Sequence, residues 1–172
     1  IIFGVAFGNL LQGVPFHFDD LLRIYYTGSF CALLNPFALL VGVLSLLMFI
    51  NQGACYLQIK TEAPLRQRAE AVSLISATLA ALLFVIAGVW LASTGMGYKV
   101  TSLIDSNAIN SAVTKTVEVS SGAWFSNYES YPLLWVFPLL GVAAFLLSAL
   151  CSKMAKGWQA FVASSLALTG VI

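Results

Sequence analysis

Long hydrophobic runs without a single charged residue alternate along this chain with shorter polar stretches. Residues 34–59, 71–94 and 133–152 are three such runs. A helix needs about 20 apolar residues to cross about 30 Å of hydrocarbon, so each predicts a full membrane span. Residues 1–11 and 158–172 are apolar but shorter, and predict two partial spans. The runs are continuous and rich in Leu, Ala and Val, whereas the strands of a membrane barrel alternate apolar with polar positions. The predicted fold is therefore all-α, a polytopic transmembrane helical bundle forming a single membrane domain over residues 1–172.

Composition strengthens this picture. The chain is 60% hydrophobic and 9% charged, with a mean hydropathy of +0.92. A soluble domain is typically about a quarter charged, and a disordered chain needs low hydrophobicity, so both classes are excluded. The net charge is +1 and the eight Lys and Arg are scattered, which leaves no basic footprint for nucleic acid.

Basic residues orient the spans. The short segments 60–70 and 153–157 lie on one side by span parity and carry Lys60, Arg66, Arg68, Lys153 and Lys156. The much longer segments 12–33 and 95–132 carry only Arg23, Lys99 and Lys115. This predicts that 60–70 and 153–157 are cytoplasmic and that 12–33 and 95–132 face the other side, the periplasm of a bacterium. The chain opens on Ile1-Ile2-Phe3 and closes inside an apolar run, so both ends look cut from a longer protein and no signal peptide is assigned.

Local signals refine the elements. Asn35-Pro36 reads as a helix start, with Asn as cap and Pro in the first turn. Asp19 or Asp20 is expected to cap a short surface helix running into the aromatic stretch 21–30. A short amphipathic helix is expected near 108–119. Tyr25, Tyr26, Tyr128, Tyr131 and Trp135 suit the membrane interface. Gly4 with Gly8, Ala38 with Gly42, Ser73 with Ala77 and Ala81, and Ala163 with Ala167 recur every four residues, a spacing that lets helix backbones approach. Glu62 and Arg66 are expected to form an i,i+4 pair.

Candidate chemistry is sparse. His17 is the only histidine; beside Phe16 and Phe18 it reads first as an interfacial residue, and second as a metal ligand or proton group. Asn51, Gln52 and Gln58 are polar residues inside a span, where unpaired polar groups are costly. Gln52 lies eight residues before Lys60, about 12 Å along a helix. It is expected to face either a partner helix or a water-filled or quinone-contacting cleft, and the following Gly53 and Ala54 would permit close approach. Cys31, Cys55 and Cys151 have no paired spacing and read as small apolar residues. No phosphate-loop, zinc-hydrolase or nucleophile-elbow motif occurs, so no catalytic or metal-ligating residue is assigned. The seven carboxylates lie in loops or at span ends, which gives no sign of an ion-coupling site.

Several strings resemble subunit II of the cytochrome bd-type quinol oxidases: GVAFGNLLQGVPF (4–16), RIYYTGSF (23–30), LLNPFALLVGV (33–43), QGACYLQIKT (52–61), AGVW (87–90), GAWFSNY (122–128) and PLLWVFPLLGV (132–142). They occur in the family's order and cover nearly the whole chain. The resemblance implies a nine-helix fold, of which this chain would match the end of helix four to the start of helix eight. It implies a multi-pass protein of the bacterial inner membrane that ligates no haem and supports the assembly and stability of subunit I. That partner would carry two b-type haems and haem d, oxidise ubiquinol or menaquinol, and reduce oxygen to water with formation of a proton gradient. A structural quinone in subunit II, small accessory subunits and membrane lipids complete the implied partners. The rival readings are a fragment of a membrane transporter or permease, which would more often show an interrupted span or a midplane charge, and a purely structural assembly protein.

Overall fold

A computed structural model describes residues 1–19, 21, 23–94, 97–102 and 116–171. Six α-helices dominate them: α1 (Ile2–Gln12), α2 (Pro36–Lys60), α3 (Leu65–Ser93), a short α4 (Ser126–Ser130), α5 (Val136–Lys153) and α6 (Gly157–Val171). Helices α2 and α3, together with α5 and the 3₁₀ turn Pro132–Trp135 that precedes it, are long and apolar enough to cross a membrane. Helix α3 begins at Leu65, so its first turns take in Arg66, Arg68 and Glu70, and only 61–64 separate it from α2.

The start of α2 follows from its sequence. The Asn35 side-chain oxygen accepts the Ala38 N–H at 2.8 Å, and Pro36 occupies the first turn, where its missing N–H goes unneeded. The Asn35 amide also donates to Asn9 Oδ1 at 3.0 Å, while the Asn9 amide donates to the Leu33 carbonyl at 2.7 Å. Two asparagines thereby tie the end of α1 to the start of α2.

Helix α2 is the hub, packed against α1, α3 and α6; α5 closes the bundle against α3 and α6. Small residues set the spacing. A Cβ on Gly8 would lie 2.7 Å from the Cα of Ala38, and one on Gly4 would lie 2.6 Å from the Val41 carbonyl oxygen. The two four-residue repeats, Gly4/Gly8 and Ala38/Gly42, are therefore two sides of one contact. At the centre sit Phe145, Leu44 and Met48 among Ala80, Ala81, Ala144 and Ala167, so a few large side chains fill space that alanines leave open.

The structure departs from the sequence reading in four places. Among the described residues no surface helix follows Asp19. Instead β1 (Phe16–Phe18) pairs antiparallel with β2 (Ile24–Tyr26), His17 opposite Tyr25. The Asp19 carboxylate accepts the Leu21 and Arg23 N–H groups and the Arg23 Nε–H. Bonds of this kind compete with a helix, and the flanking aromatic and β-branched residues favour strand. The Arg23 backbone N–H, above all, holds the Asp19 carboxyl below its ordinary range. Asp20 lies outside the described residues.

In the second departure, residues 117–119 of the expected amphipathic helix form β4 (Val117–Val119), paired with β3 (Tyr98–Val100); residues 103–115 lie outside the described part. In the third, Arg66 pairs with Glu70 at 3.0 Å and not with Glu62, because Glu62 precedes the first turn of α3 whereas Glu70 is one turn on. The Arg66 guanidinium also donates to the Ala155 carbonyl at 2.6 Å, joining the α2–α3 and α5–α6 connections. In the fourth, Gly53 supports no close approach: a Cβ there would have nothing within 4 Å.

The glycines therefore separate into two kinds. Gly8→Val is expected to destabilise the full-length protein by about 1–3 kcal/mol, because the added atoms meet backbone that cannot yield. Gly53→Ala is expected to be neutral or to stabilise by up to about 1 kcal/mol through helix propensity. Thermal unfolding in one detergent compares them; equal losses would contradict the α1–α2 contact.

Candidate functional site: a buried polar seam and an apolar cavity

Asn51 is fully buried on α2, and the residues one and two turns on, Cys55 and Gln58, are buried beside it. They face serines on two other helices. The Ser73 hydroxyl of α3 donates to Asn51 Oδ1 at 2.8 Å and lies 2.9 Å from the Ser152 hydroxyl of α5. The Asn51 amide donates to Ser148 of α5 at 3.4 Å, and the Cys55 sulfur lies 3.1 Å from Ser73 Oγ and 3.4 Å from Ser148 Oγ. Gln58 donates to Ser152 at 3.0 Å. A hydroxyl both donates and accepts, so serines can continue a chain of bonds that amides alone would end. The result is a polar seam along α2, about 10 Å from Asn51 to Gln58 at helical rise.

Gln52 points elsewhere. Its Nε2 donates to Ser165 at 3.0 Å, and its Oε1 accepts from Ser164 at 2.6 Å, both on α6. The adjacent residues Asn51 and Gln52 thus serve different neighbours, about 100° apart around the helix. Of the partners, only Ser73 carries a signal in the sequence, as one of a small-residue repeat. Ser148, Ser152, Ser164 and Ser165 do not, because serine occurs in membrane helices both as a packing residue and as a donor. Cys55, read as a small apolar residue, sits among hydroxyls.

A cavity of about 650 Å³ lies between α1, α2, α3 and α5. Phe7, Phe37, Met48 and Phe84 line its apolar length, and Tyr128 and Trp135 its aromatic end. Its size falls in the range of small-molecule sites, about 300–1,000 Å³. Gln52 is not part of this lining. His17 stacks on Tyr25 in the exposed hairpin, ring centres 5.7 Å apart.

The family model described as cytochrome bd terminal oxidase subunit II matches residues 1–172. The chain belongs to this family. It is 54% identical over all its 172 residues to a probable cytochrome oxidase subunit 2 of Haemophilus influenzae, and 47% identical to the cytochrome bd-I ubiquinol oxidase subunit 2 of Escherichia coli K12. Each match covers 100% of this chain and 45% of the relative, so the chain spans under half the length of the curated relatives it matches. A cytochrome bd subunit II with three helices able to cross a bilayer is a multi-pass membrane protein.

The cytochrome bd family implies haem in the complex, and among the described residues the donors do not converge on an iron site. A haem needs an axial His, Met, Cys or Tyr directed at one centre. His17 is engaged with Tyr25 on the hairpin, and no group of three or more His, Cys, Asp and Glu able to hold a metal occurs among the described residues. Met48 and Tyr128 are the side chains of axial-ligand type in the described lining of the cavity, one along its apolar length and the other at its aromatic end. The described lining of the cavity is mainly apolar, with Tyr128 and Trp135 at its aromatic end.

The seam and the Gln52 contact should differ in energy. Asn51→Leu removes the acceptor around which Ser73, Ser148 and Cys55 converge, and is expected to cost about 1–3 kcal/mol. Gln52→Leu is expected to cost only about 0.6–1.7 kcal/mol, since Ser164 and Ser165 keep their bonds to the Phe161 carbonyl. Unfolding midpoints of the two full-length variants test the order; a larger loss for Gln52→Leu would reverse it.

Proposed function

We propose that this chain is part of the non-haem-ligating subunit II of a cytochrome bd-type quinol:oxygen oxidoreductase in the bacterial inner membrane. The family match along the whole chain carries this reading. In the complex, quinol is oxidised to quinone while oxygen is reduced to water, and the two b-type haems and haem d that pass the electrons belong to subunit I. The part played by this chain is structural: a rigid bundle held by the Asn51 seam, against which subunit I assembles. Quinol protons leave outside and the protons for water come from inside, so turnover builds the gradient. The quinol is ubiquinol or menaquinol, and small accessory subunits can join the heterodimer.

Within that role, the cavity beside Phe37, Phe84, Tyr128 and Trp135 is the place for a structural quinone. A bound quinone supplies a redox-active ring on an apolar tail. Phe7, Phe37, Met48 and Phe84 would hold the tail by apolar contact and exclude water from it. Gln52, with both ends of its amide engaged by α6 serines, acts in packing.

Gly88 provides the test of the cavity. It lines the space, and a Cβ there would meet nothing within 4 Å, so a larger side chain can enter without distorting α3. Gly88→Leu in the full complex is expected to lower the bound quinone several-fold while every haem band stays. Unchanged quinone content would remove the cavity from the proposal; loss of a haem band would instead give the site a role in haem binding.

The sidedness has its own test. Lys60, Arg66, Arg68, Lys153 and Lys156 are proposed to face the cytoplasm, and 12–33 and 95–132 the periplasm. A cysteine introduced at 67 should resist a membrane-impermeant maleimide in intact cells, and one at 121 should react. The opposite pattern inverts the topology.

A further inference from the structure

A second groove, of about 360 Å³, runs down the outer face of the bundle between α5 and α6. Leu147 and Cys151 line it from α5, and Trp158, Val162, Ala163 and Leu166 from α6. It is separate from the cavity described above, and of these residues Leu147, Trp158, Val162 and Leu166 are exposed.

Three features specify an occupant. The first is length. From Trp158 to Leu166 the groove follows eight residues of α6, about 12 Å at helical rise. That is close to one leaflet of a hydrocarbon core about 30 Å thick. A neighbouring transmembrane helix would cross both leaflets, whereas an acyl chain fills one. The second is charge. The groove ends at Cys151 and Trp158, and the connection between these two residues carries Lys153 and Lys156, both exposed and outside the two ion pairs found among the described residues. The Arg66 bond to the Ala155 carbonyl brings a third cation to the same connection. The third is Trp158, 67% exposed at the charged end, where an indole suits the headgroup level.

We infer that this groove binds one anionic phospholipid, with an acyl chain along Leu147, Val162 and Leu166 and its phosphate at Lys153 and Lys156. Basic residues between transmembrane helices are a recurrent site for acidic headgroups. The inference rests on the membrane-spanning character of the helices, and holds for either orientation of the protein.

The test uses the purified full-length complex, delipidated and then titrated with phosphatidylglycerol or with phosphatidylethanolamine of the same acyl chains, bound lipid being counted by native mass spectrometry. Phosphatidylglycerol is expected to be retained in preference to phosphatidylethanolamine. The double variant Lys153→Gln/Lys156→Gln should abolish that preference, with a loss on the order of tenfold or more, and Lys153→Arg/Lys156→Arg should keep it. Val162→Trp, which fills the groove from an exposed position, should reduce the tightly held lipid whichever headgroup it carries. Equal retention of both lipids by the unmodified complex, or a preference that survives the double Gln variant, would overturn the inference. A photoreactive residue at 162 adds an independent readout in native membranes. A lipid adduct supports the site; an adduct to another protein segment shows that protein covers the groove and defeats it.

Discussion

Hydrocarbon offers no partner to an amide or a hydroxyl, and that constraint organises this bundle. Asn51 cannot be left unpaired on α2, so α3 and α5 must each bring a serine to it. Ser73 and Ser152 can then bond each other, and Gln58 bonds Ser152 in turn. Each bond is modest in a membrane, about 0.6 kcal/mol on average. Their combined effect is directional, because only one rotation and one depth of each helix brings all of them together. Apolar contacts between helices are more permissive, since leucine meets leucine much as it meets a lipid tail.

The second determinant is small residues. Gly4, Gly8, Ala38 and Gly42 bring α1 and α2 to backbone contact, and Gly141 meets Gly170 between α5 and α6 in the same way, a Cβ on Gly170 falling 2.7 Å from the Gly141 nitrogen. Close approach shortens the distance that side-chain bonds must cover. Packing and polar pairing therefore depend on one another: the seam forms where alanines such as Ala77, Ala80 and Ala81 leave α3 near enough to reach.

Much of the fold was legible because hydropathy reports the long helices directly. The start of α2 was legible because Asn35-Pro36 carries its own cap, and the family because seven strings recur in order. Polar residues within spans marked Asn51, Gln52 and Gln58, but of their partners only Ser73 stood out, through its small-residue repeat. A serine in an alanine-rich helix has no distinguishing neighbourhood until the helices are assembled. The hairpin at 16–26 escaped notice for a different reason. Asp19 is as good a helix cap as a turn former, and the choice between them depends on whether Arg23 folds back onto it. The exchange of Glu62 for Glu70 as the partner of Arg66 followed from six residues of extra helix that the uncharged-run criterion discards, since charged first turns lie outside it.

The two short connections at the basic end have a mechanical consequence. Four residues join α2 to α3, three join α5 to α6, and the Arg66–Ala155 bond bridges the two turns. Gly157 abuts Gln58 there, a Cβ on it falling 3.1 Å from the Gln58 Cβ, so α6 starts in close contact with α2. The four helix ends are in effect riveted at this side. A disturbance at the charged turns would therefore reach all four helices at once, whereas at the opposite end α1 and α2 keep a separate tie through Asn9 and Asn35, and α5 meets α6 at Gly141 and Gly170.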